Sequence, residues 1–254
     1  TYESVASGKV SLEDDVTVSQ RAADMGGSQA FLDAGSVHKL KNLIKTIIVA
    51  SANDSCVAMA ERIAGSESLF TDKMNARAKE LGAENTLFAN CTGLPKEPQY
   101  SCAHDVAKML AELVSHEEYF TFSKIWMDKF QHPQGRYTEI SNTNRLVRFY
   151  EGCDGGKTGF TNQAGFCLAA TAKRGGMRLI AVVIGEDSSD HRFGDTRTML
   201  DYAFATYTLK TVVDENNPLS ETAAVSGGKT KCVTVRPERS SHIFSKRGDT
   251  ENVT

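Results

Sequence analysis

Asp154-Gly155-Gly156-Lys157-Thr158-Gly159-Phe160-Thr161 decides how this chain is read, together with the two runs that follow it, Gly165 to Ala172 and Arg178 to Gly185. Gly-Lys-Thr first suggests a phosphate-binding loop. Such a loop reads G-x-x-x-x-G-K-[ST] and opens a helix whose N-terminal N–H groups face the phosphate. Position 151 is Glu, Gly152 stands one place too late, and the residues after Thr161 have strand character. Gly228-Lys229-Thr230 fails the same test, with Ala223 where the first glycine should be. The two runs are β-prone and are joined by Lys173-Arg174-Gly175-Gly176-Met177, the clearest hairpin signal in the chain. The octapeptide is therefore expected to lead into an antiparallel sheet, not a nucleotide site.

Helices are expected on both sides of this hairpin. Leu40, Leu43, Ile44, Ile47 and Ile48 recur at the spacing of one buried helical face over Lys39 to Ala50. Ser51-Ala52-Asn53-Asp54 interrupts that pattern with residues that favour caps and turns, and Cys56 to Ala64 resumes it. The interruption reads as a polar corner between two helices. Phe70 to Leu81 is amphipathic and stops at Gly82, Ser101 to Val114 follows, and Asn85 to Pro95 lies between them as a loop. Phe193 to Leu209 returns to helix. Beyond it Asp214-Glu215-Asn216-Asn217-Pro218 is linker-like and Cys232-Val233-Thr234-Val235 alternates like a strand. The expected class is α/β of the α+β kind: helices on an antiparallel sheet in residues 1–210, then the start of a small β-rich domain in 211–254.

Composition narrows the function classes. Apolar residues make up 40% of the 254 and charged residues 24%, ordinary values for a globular protein. The 29 basic and 32 acidic residues leave a net charge of -3, which gives no case for nucleic acid as a partner. The most apolar stretch, Leu179 to Ile184, falls far short of the roughly 20 residues a spanning helix needs. Thr1-Tyr2-Glu3-Ser4 has neither the basic region nor the apolar core of a signal peptide, and the chain reads as beginning inside a domain. The six cysteines include no C-x-x-C pair, and His116-Glu117-Glu118 lacks the second histidine of a zinc-protease motif. No metal site and no cofactor is expected. The cysteines read as small buried residues, with disulfides unassigned.

Ser51-Ala52-Asn53 on the corner and Lys157-Thr158-Gly159 at the start of a strand occur in the order used by penicillin-recognising serine enzymes. With Asn85 to Asn90, Gly93-Leu94, Tyr100 to Asp105, Asn142 to Leu146 and Arg192-Phe193, they give a chain that resembles the D-alanyl-D-alanine carboxypeptidases, the low-molecular-mass penicillin-binding proteins, from Ser11 to about Leu209. The resemblance implies a β-lactamase/transpeptidase-like fold. It also implies a serine hydrolase that removes the last D-alanine of peptidoglycan stem peptides through an acyl-enzyme and is a target of β-lactams. In that scheme Ser51 relays a proton to the leaving amine, Asn53 holds the substrate's peptide group and Lys157 polarises Ser51. The Phe160 N–H forms half of an oxyanion hole. Thr158 and Arg192 bind the terminal carboxylate, with Gly159 and Thr161 completing the substrate strand.

The family's Ser-x-x-Lys motif is expected upstream of Thr1. Ser36-Val37-His38-Lys39 and Ser226-Gly227-Gly228-Lys229 match the pattern, but Ser36 reads as a helix N-cap and Ser226 lies beyond the catalytic domain. An inactive peptidoglycan- or β-lactam-binding module is therefore an alternative. So is a serine β-lactamase, although its deacylating loop would need Asn where Phe88 follows Glu84-Asn85-Thr86-Leu87. The family works outside the cytoplasmic membrane, at its outer face or secreted, often held by a C-terminal amphipathic helix that this chain does not display. The 254-residue chain is expected to take up no β-lactam covalently. Intact mass after incubation with a penicillin measures this, and an adduct on Ser36 or Ser226 would expose a misread nucleophile.

Overall fold

The computed structural model describes residues 1–249. Two compact units divide the chain. One comprises Thr1–Lys173 and Arg178–Leu200, the other Arg174–Met177 and the chain from Asp201 onward.

In the first unit the order is α1 (Tyr2–Ala6), β1 (Asp15–Thr17), α2 (Gln20–Ala23), β2 (Val37–Lys39), α3 (Leu40–Ala50), α4 (Asn53–Ala64), α5 (Glu67–Glu80), α6 (Ala103–Leu113), α7 (Phe120–Ser123), β3 (Met127–Gln131), β4 (Tyr137–Ser141), α8 (Leu146–Phe149) and β5 (Cys153–Thr161). The hairpin β6 (Gly165–Arg174) and β7 (Met177–Glu186) follows, then α9 (Ser189–Thr206). The core gathers around α3: Leu40, Leu43, Ile44 and Val49 are buried against Val16, Val18, Val57, Phe130 and Ile140. Its periodicity places one face inward, as its spacing predicts.

Three antiparallel sheets frame this core. β1 pairs β2 with Val16 opposite His38, and β3 pairs β4 with Phe130 opposite Thr138. The third has the order β5-β6-β7, which leaves β5 at a rim among the described residues. Register shifts between Cys153 and Gly155, so Asp154 is an extra residue in the strand. Its carboxylate takes a two-point ion pair from Arg178, at 2.8 and 2.9 Å. Strands β8 (Tyr207–Val213), β9 (Thr222–Ala224), β10 (Cys232–Thr234) and β11 (Ser241–Lys246) make up the second unit's sheets, β8 with β11 and β9 with β10.

Three local expectations change. The corner is two residues long, because α4 already begins at Asn53 and its N-cap, Ala52, has no capping side chain. Asn53 and Asp54 sit in the first helical turn with side chains that bond a distant loop, and Asp54 Oδ1 also accepts Ser55 N of its own helix at 2.8 Å. Ser36 is not an N-cap: Lys39 holds that place, and the Ser36 hydroxyl donates to Asp33 O at 2.6 Å. The helix read as reaching Leu209 ends at Thr206, because aromatic and β-branched residues from Tyr207 onward pair with β11.

Two glycines govern the entry to β5. Gly156 has φ of +124°, and a Cβ there would meet Ala169 O at 2.2 Å, while one at Gly155 would meet the Tyr119 ring at 2.8 Å. Neither contact can be relieved by a small rotation, since one neighbour is backbone and the other a buried ring. Gly156→Ala should lower the unfolding free energy by about 1–3 kcal/mol or more. Urea denaturation measures this, and an unchanged midpoint would mean that β5 can slide away from β6.

Candidate active site

The corner after α3 is made by Ser51 in left-handed conformation, φ 60° and ψ 37°. A non-glycine residue there costs of order 1–3 kcal/mol and persists only when its surroundings fix it. They do so here. The Ser51 and Ala52 N–H groups donate to Ile47 O and Thr46 O at 3.2 and 3.3 Å. The Thr46 hydroxyl meets the Ser55 hydroxyl of α4 at 2.7 Å, tying both helices below the corner.

Asn53 and Asp54 hold a strap of chain, residues 26–33, across the start of α4. Asn53 donates twice, from its backbone N to Ser28 O and from Nδ2 to Gly26 O, both at 2.8 Å. Gly27 lies so close that a Cβ would sit 2.7 Å from Asn53 Nδ2. The Asp54 carboxylate accepts the N–H of Ala30 at 3.0 Å and of Leu32 at 3.1 Å, and is 1% exposed.

β5 carries the second group. Lys157 donates from Nζ to Thr158 O at 2.8 Å. Burial pushes its ammonium down to about 8; the Cys56 thiol on α4 opposes the shift and the Arg192 guanidinium adds to it. Burial in turn pushes the Cys56 thiol up to about 12 while Lys157 pulls it back. Cys56 belongs to α4, so the two groups act on each other's charge across the space between β5 and that helix. The Thr158 hydroxyl donates to the Thr143 hydroxyl at 2.7 Å, and Thr143 N donates to Val49 O at 3.2 Å. Thr143 thus joins the substrate strand to the end of α3.

The remaining predicted residues fall into two groups. Phe160 is 54% exposed, with its ring against Phe166 of β6 at 4.4 Å. The Thr161 hydroxyl accepts Ala164 N at 2.9 Å and belongs to the β5–β6 turn. Arg192, near the start of α9, is 8% exposed. Its Nη1 donates to Gly159 O and Cys167 O, each at 3.3 Å, and its Nη2 to Ser189 Oγ at 3.2 Å. Its Nε has no hydrogen-bond partner among the described residues. Lys157, Thr158, Gly159 and Arg192 are therefore one cluster at the β5 rim, and Ser51 and Asn53 belong to the α3–α4 corner beside it.

Sequence reasoning missed the supports. Tyr119 OH accepts Gly156 N at 2.8 Å, and Asn144 Nδ2 donates to Gly155 O at 3.1 Å. Asn142 Nδ2 caps Ser123 O and Ile125 O at 3.1 and 2.9 Å. The signal was a polar triplet, Asn142-Thr143-Asn144, set between the buried Ile140 and Leu146. Ser36 and Lys39 cannot act as nucleophile and base. Ser36 lies before β2 with its hydroxyl on Asp33 O, and Lys39 Nζ is held by Asp15 at 2.8 Å and Glu13 O at 2.9 Å.

A Ser-x-Asn corner between two helices and a Lys-Thr-Gly edge strand, joined through Thr143, are the frame of the penicillin-recognising serine enzymes. A family model described as D-alanyl-D-alanine carboxypeptidase matches residues 1–188. The chain is 42% identical over 250 residues to the D-alanyl-D-alanine carboxypeptidase DacF of Bacillus subtilis, covering 98% of this chain and 64% of that protein. It is 38% identical over 212 residues to DacC of Escherichia coli, covering 77% and 50%. Among solved structures, penicillin binding protein 5 of Haemophilus influenzae superposes with a TM-score of 0.81 at 28% identity, covering 98% of this chain and 72% of that one. PBP3 of Streptococcus pneumoniae gives 0.82 at 28% identity, covering 98% and 75%. The chain belongs to the D-alanyl-D-alanine carboxypeptidase family, and it spans about one half to two thirds of the length of these curated relatives.

Asp54 makes the corner testable by stability. Asp54→Ala leaves three buried N–H groups, those of Ala30, Leu32 and Ser55, without acceptors and should cost about 3 kcal/mol or more, while Asp54→Asn, which keeps an acceptor, should cost less. Equal losses in chemical denaturation would mean that volume, not hydrogen bonding, holds the strap.

Proposed function

We propose that the full-length protein is a serine-type D-alanyl-D-alanine carboxypeptidase that removes the terminal D-alanine from peptidoglycan stem peptides, and that β-lactams acylate the same serine. The observation that carries this reading is Lys157, a lysine lowered to about 8 on a rim strand beside the Ser-x-Asn helix. Perturbed groups of this kind gather where charge must be handled. In this reading residues 1–210 are the catalytic domain and 211–254 open a β-rich one.

The attacking serine comes from the family's Ser-x-x-Lys motif. Its Oγ adds to the carbonyl carbon of the last peptide bond, and the oxyanion leans on the Phe160 N–H, a donor typically worth about 3–4 kcal/mol. The C–N bond then breaks, and the leaving D-alanine amine takes its proton through Ser51, which Lys157 polarises. Water hydrolyses the ester and frees the serine. The peptide lies along the rim of β5, which carries no neighbouring strand on that side among the described residues and can take an added one. Asn53 holds its peptide group, and Gly159 and Thr161 line the strand. Thr158 and Arg192 meet the terminal carboxylate, which marks a chain end.

No helix among the described residues is long and apolar enough to cross a membrane. The substrate is a cell-wall polymer, so we place the protein outside the cytoplasmic membrane, either secreted or held at its outer face by a C-terminal amphipathic helix.

Full-length protein should release D-alanine from a peptide ending in D-alanyl-D-alanine. Its kcat/KM, which reports the free enzyme, should fall as pH rises through about 8, where Lys157 loses its charge. Lys157→Arg should remove that alkaline limb while retaining partial turnover. A folded protein that releases no D-alanine overturns the function, and an unmoved limb takes Lys157 out of the titration.

A further inference from the structure

The strap 26–33 is held from outside as well as by Asn53 and Asp54, and the outer holder is a histidine. His132 follows β3, is 5% exposed, and sits edge-on to Phe130 at 4.8 Å and to His38 of β2 at 6.0 Å. Both of its ring nitrogens work on the strap. Nε2 lies 2.8 Å from the Thr138 hydroxyl of β4, which itself donates to Ala30 O at 3.3 Å. Because Thr138 spends its proton on Ala30, the His132 nitrogen must donate to it. Nδ1 lies 3.1 Å from Arg136 Nη2, a group that can only donate. Arg136 Nη2 also reaches Phe31 O at 2.9 Å and Asp33 Oδ2 at 2.6 Å. One tautomer fits: proton on Nε2, lone pair on Nδ1.

We propose that His132 is a positioning residue, holding the strap in place from both ring nitrogens only while it is neutral, so that acid loosens the support behind Asn53. A proton on Nδ1 would point at the Arg136 guanidinium and put two cations in contact. Arg136 would then leave Phe31 and Asp33, and Phe31, held at φ 61°, would lose the contact that fixes it. The charged and titratable groups facing the ring are Arg136, His38, Asp33 and Asp54. Burial lowers His132 from its ordinary value and Arg136 lowers it further, against the two carboxylates. The sign follows. The closed strap binds no proton at His132 while the open one does, so closure is complete above the ordinary histidine value of about 6.5 and weakens as pH falls towards the lower value of the closed form. The consequence for catalysis rests on Asn53 being the residue that holds the substrate.

The test is hydrogen exchange of the segment 26–33 in the full-length protein, corrected for intrinsic rates, from about pH 7.5 to about pH 5. Below about pH 6.5 exchange should accelerate up to tenfold per pH unit, the limit for uptake of one proton. His132→Asn, whose carbonyl can still accept from Arg136 but cannot titrate, should abolish that acceleration; His38→Asn should leave it. If His132→Asn does not fold, Arg136→Gln removes the facing cation and should reduce the acceleration instead. An acceleration that survives in His132→Asn, or that is undiminished in Arg136→Gln, or that disappears in His38→Asn alone, overturns the proposal. Release of D-alanine by the same samples is measured in parallel and reads separately. Exchange that follows His132 in a protein without that activity would sink the carboxypeptidase reading and keep this one, and normal turnover with His132-independent exchange would do the reverse.

Discussion

The Asp54 carboxylate is the contact on which the geometry of the site depends. A buried charge is costly unless hydrogen bonds satisfy it, and Asp54 meets that condition by gripping the N–H groups of Ala30 and Leu32. Those bonds fix the strap, and the strap in turn supplies Gly26 O and Ser28 O to Asn53. The first turn of α4 is thus set by residues more than twenty places earlier in the chain. Ser51 can then occupy a left-handed corner, because the chain on either side of it has no freedom to relax.

Charge in the site is one-sided. Lys157 and Arg192 are close enough for one to depress the other's affinity for a proton, and the group that opposes the shift is the Cys56 thiol, not a carboxylate. A buried arginine and a part-buried lysine without an acidic partner among the described residues raise the free energy of the site, and an anion between them would lower it. Arg192 meanwhile serves a second purpose by clasping the carbonyls of Gly159 and Cys167, so the charge and the pairing of β5 with β6 are maintained by one side chain.

Legibility in the sequence followed the range of the forces involved. The apolar face of α3, the turn at Gly175-Gly176 and the rejection of a phosphate loop were all readable, because helix periodicity and turn chemistry act within a few residues. The Ser-x-Asn and Lys-Thr-Gly groups were readable as a pair in a known order. Asn53 and Asp54 were misread as corner residues because their partners are a distant loop, and nothing local announces that. The end of α9 was misplaced for a similar reason: Tyr207 to Val213 can join a helix until β11 offers it hydrogen bonds. Tyr119 and His132 carried no motif at all, and the Asn142 to Leu146 stretch did not announce what Thr143 would touch. Each matters through bonds across the fold: Thr143 to Thr158 and Val49, Tyr119 to Gly156, and His132 to the strap through Thr138 and Arg136.

The open rim of β5 has a colloidal side. A strand edge with no neighbouring strand among the described residues, three glycines and an exposed Phe160 ring is also a template on which another chain can polymerise. Proteins usually blunt such edges with charge or proline, yet between Gly155 and Phe160 the sole charge is Lys157, whose Nζ is bonded to Thr158 O. Solubility of the empty protein is therefore in tension with the strand's readiness for an incoming peptide. Occupancy of the rim relieves that tension, so a ligand should act on this protein as an anti-aggregant as well as a substrate.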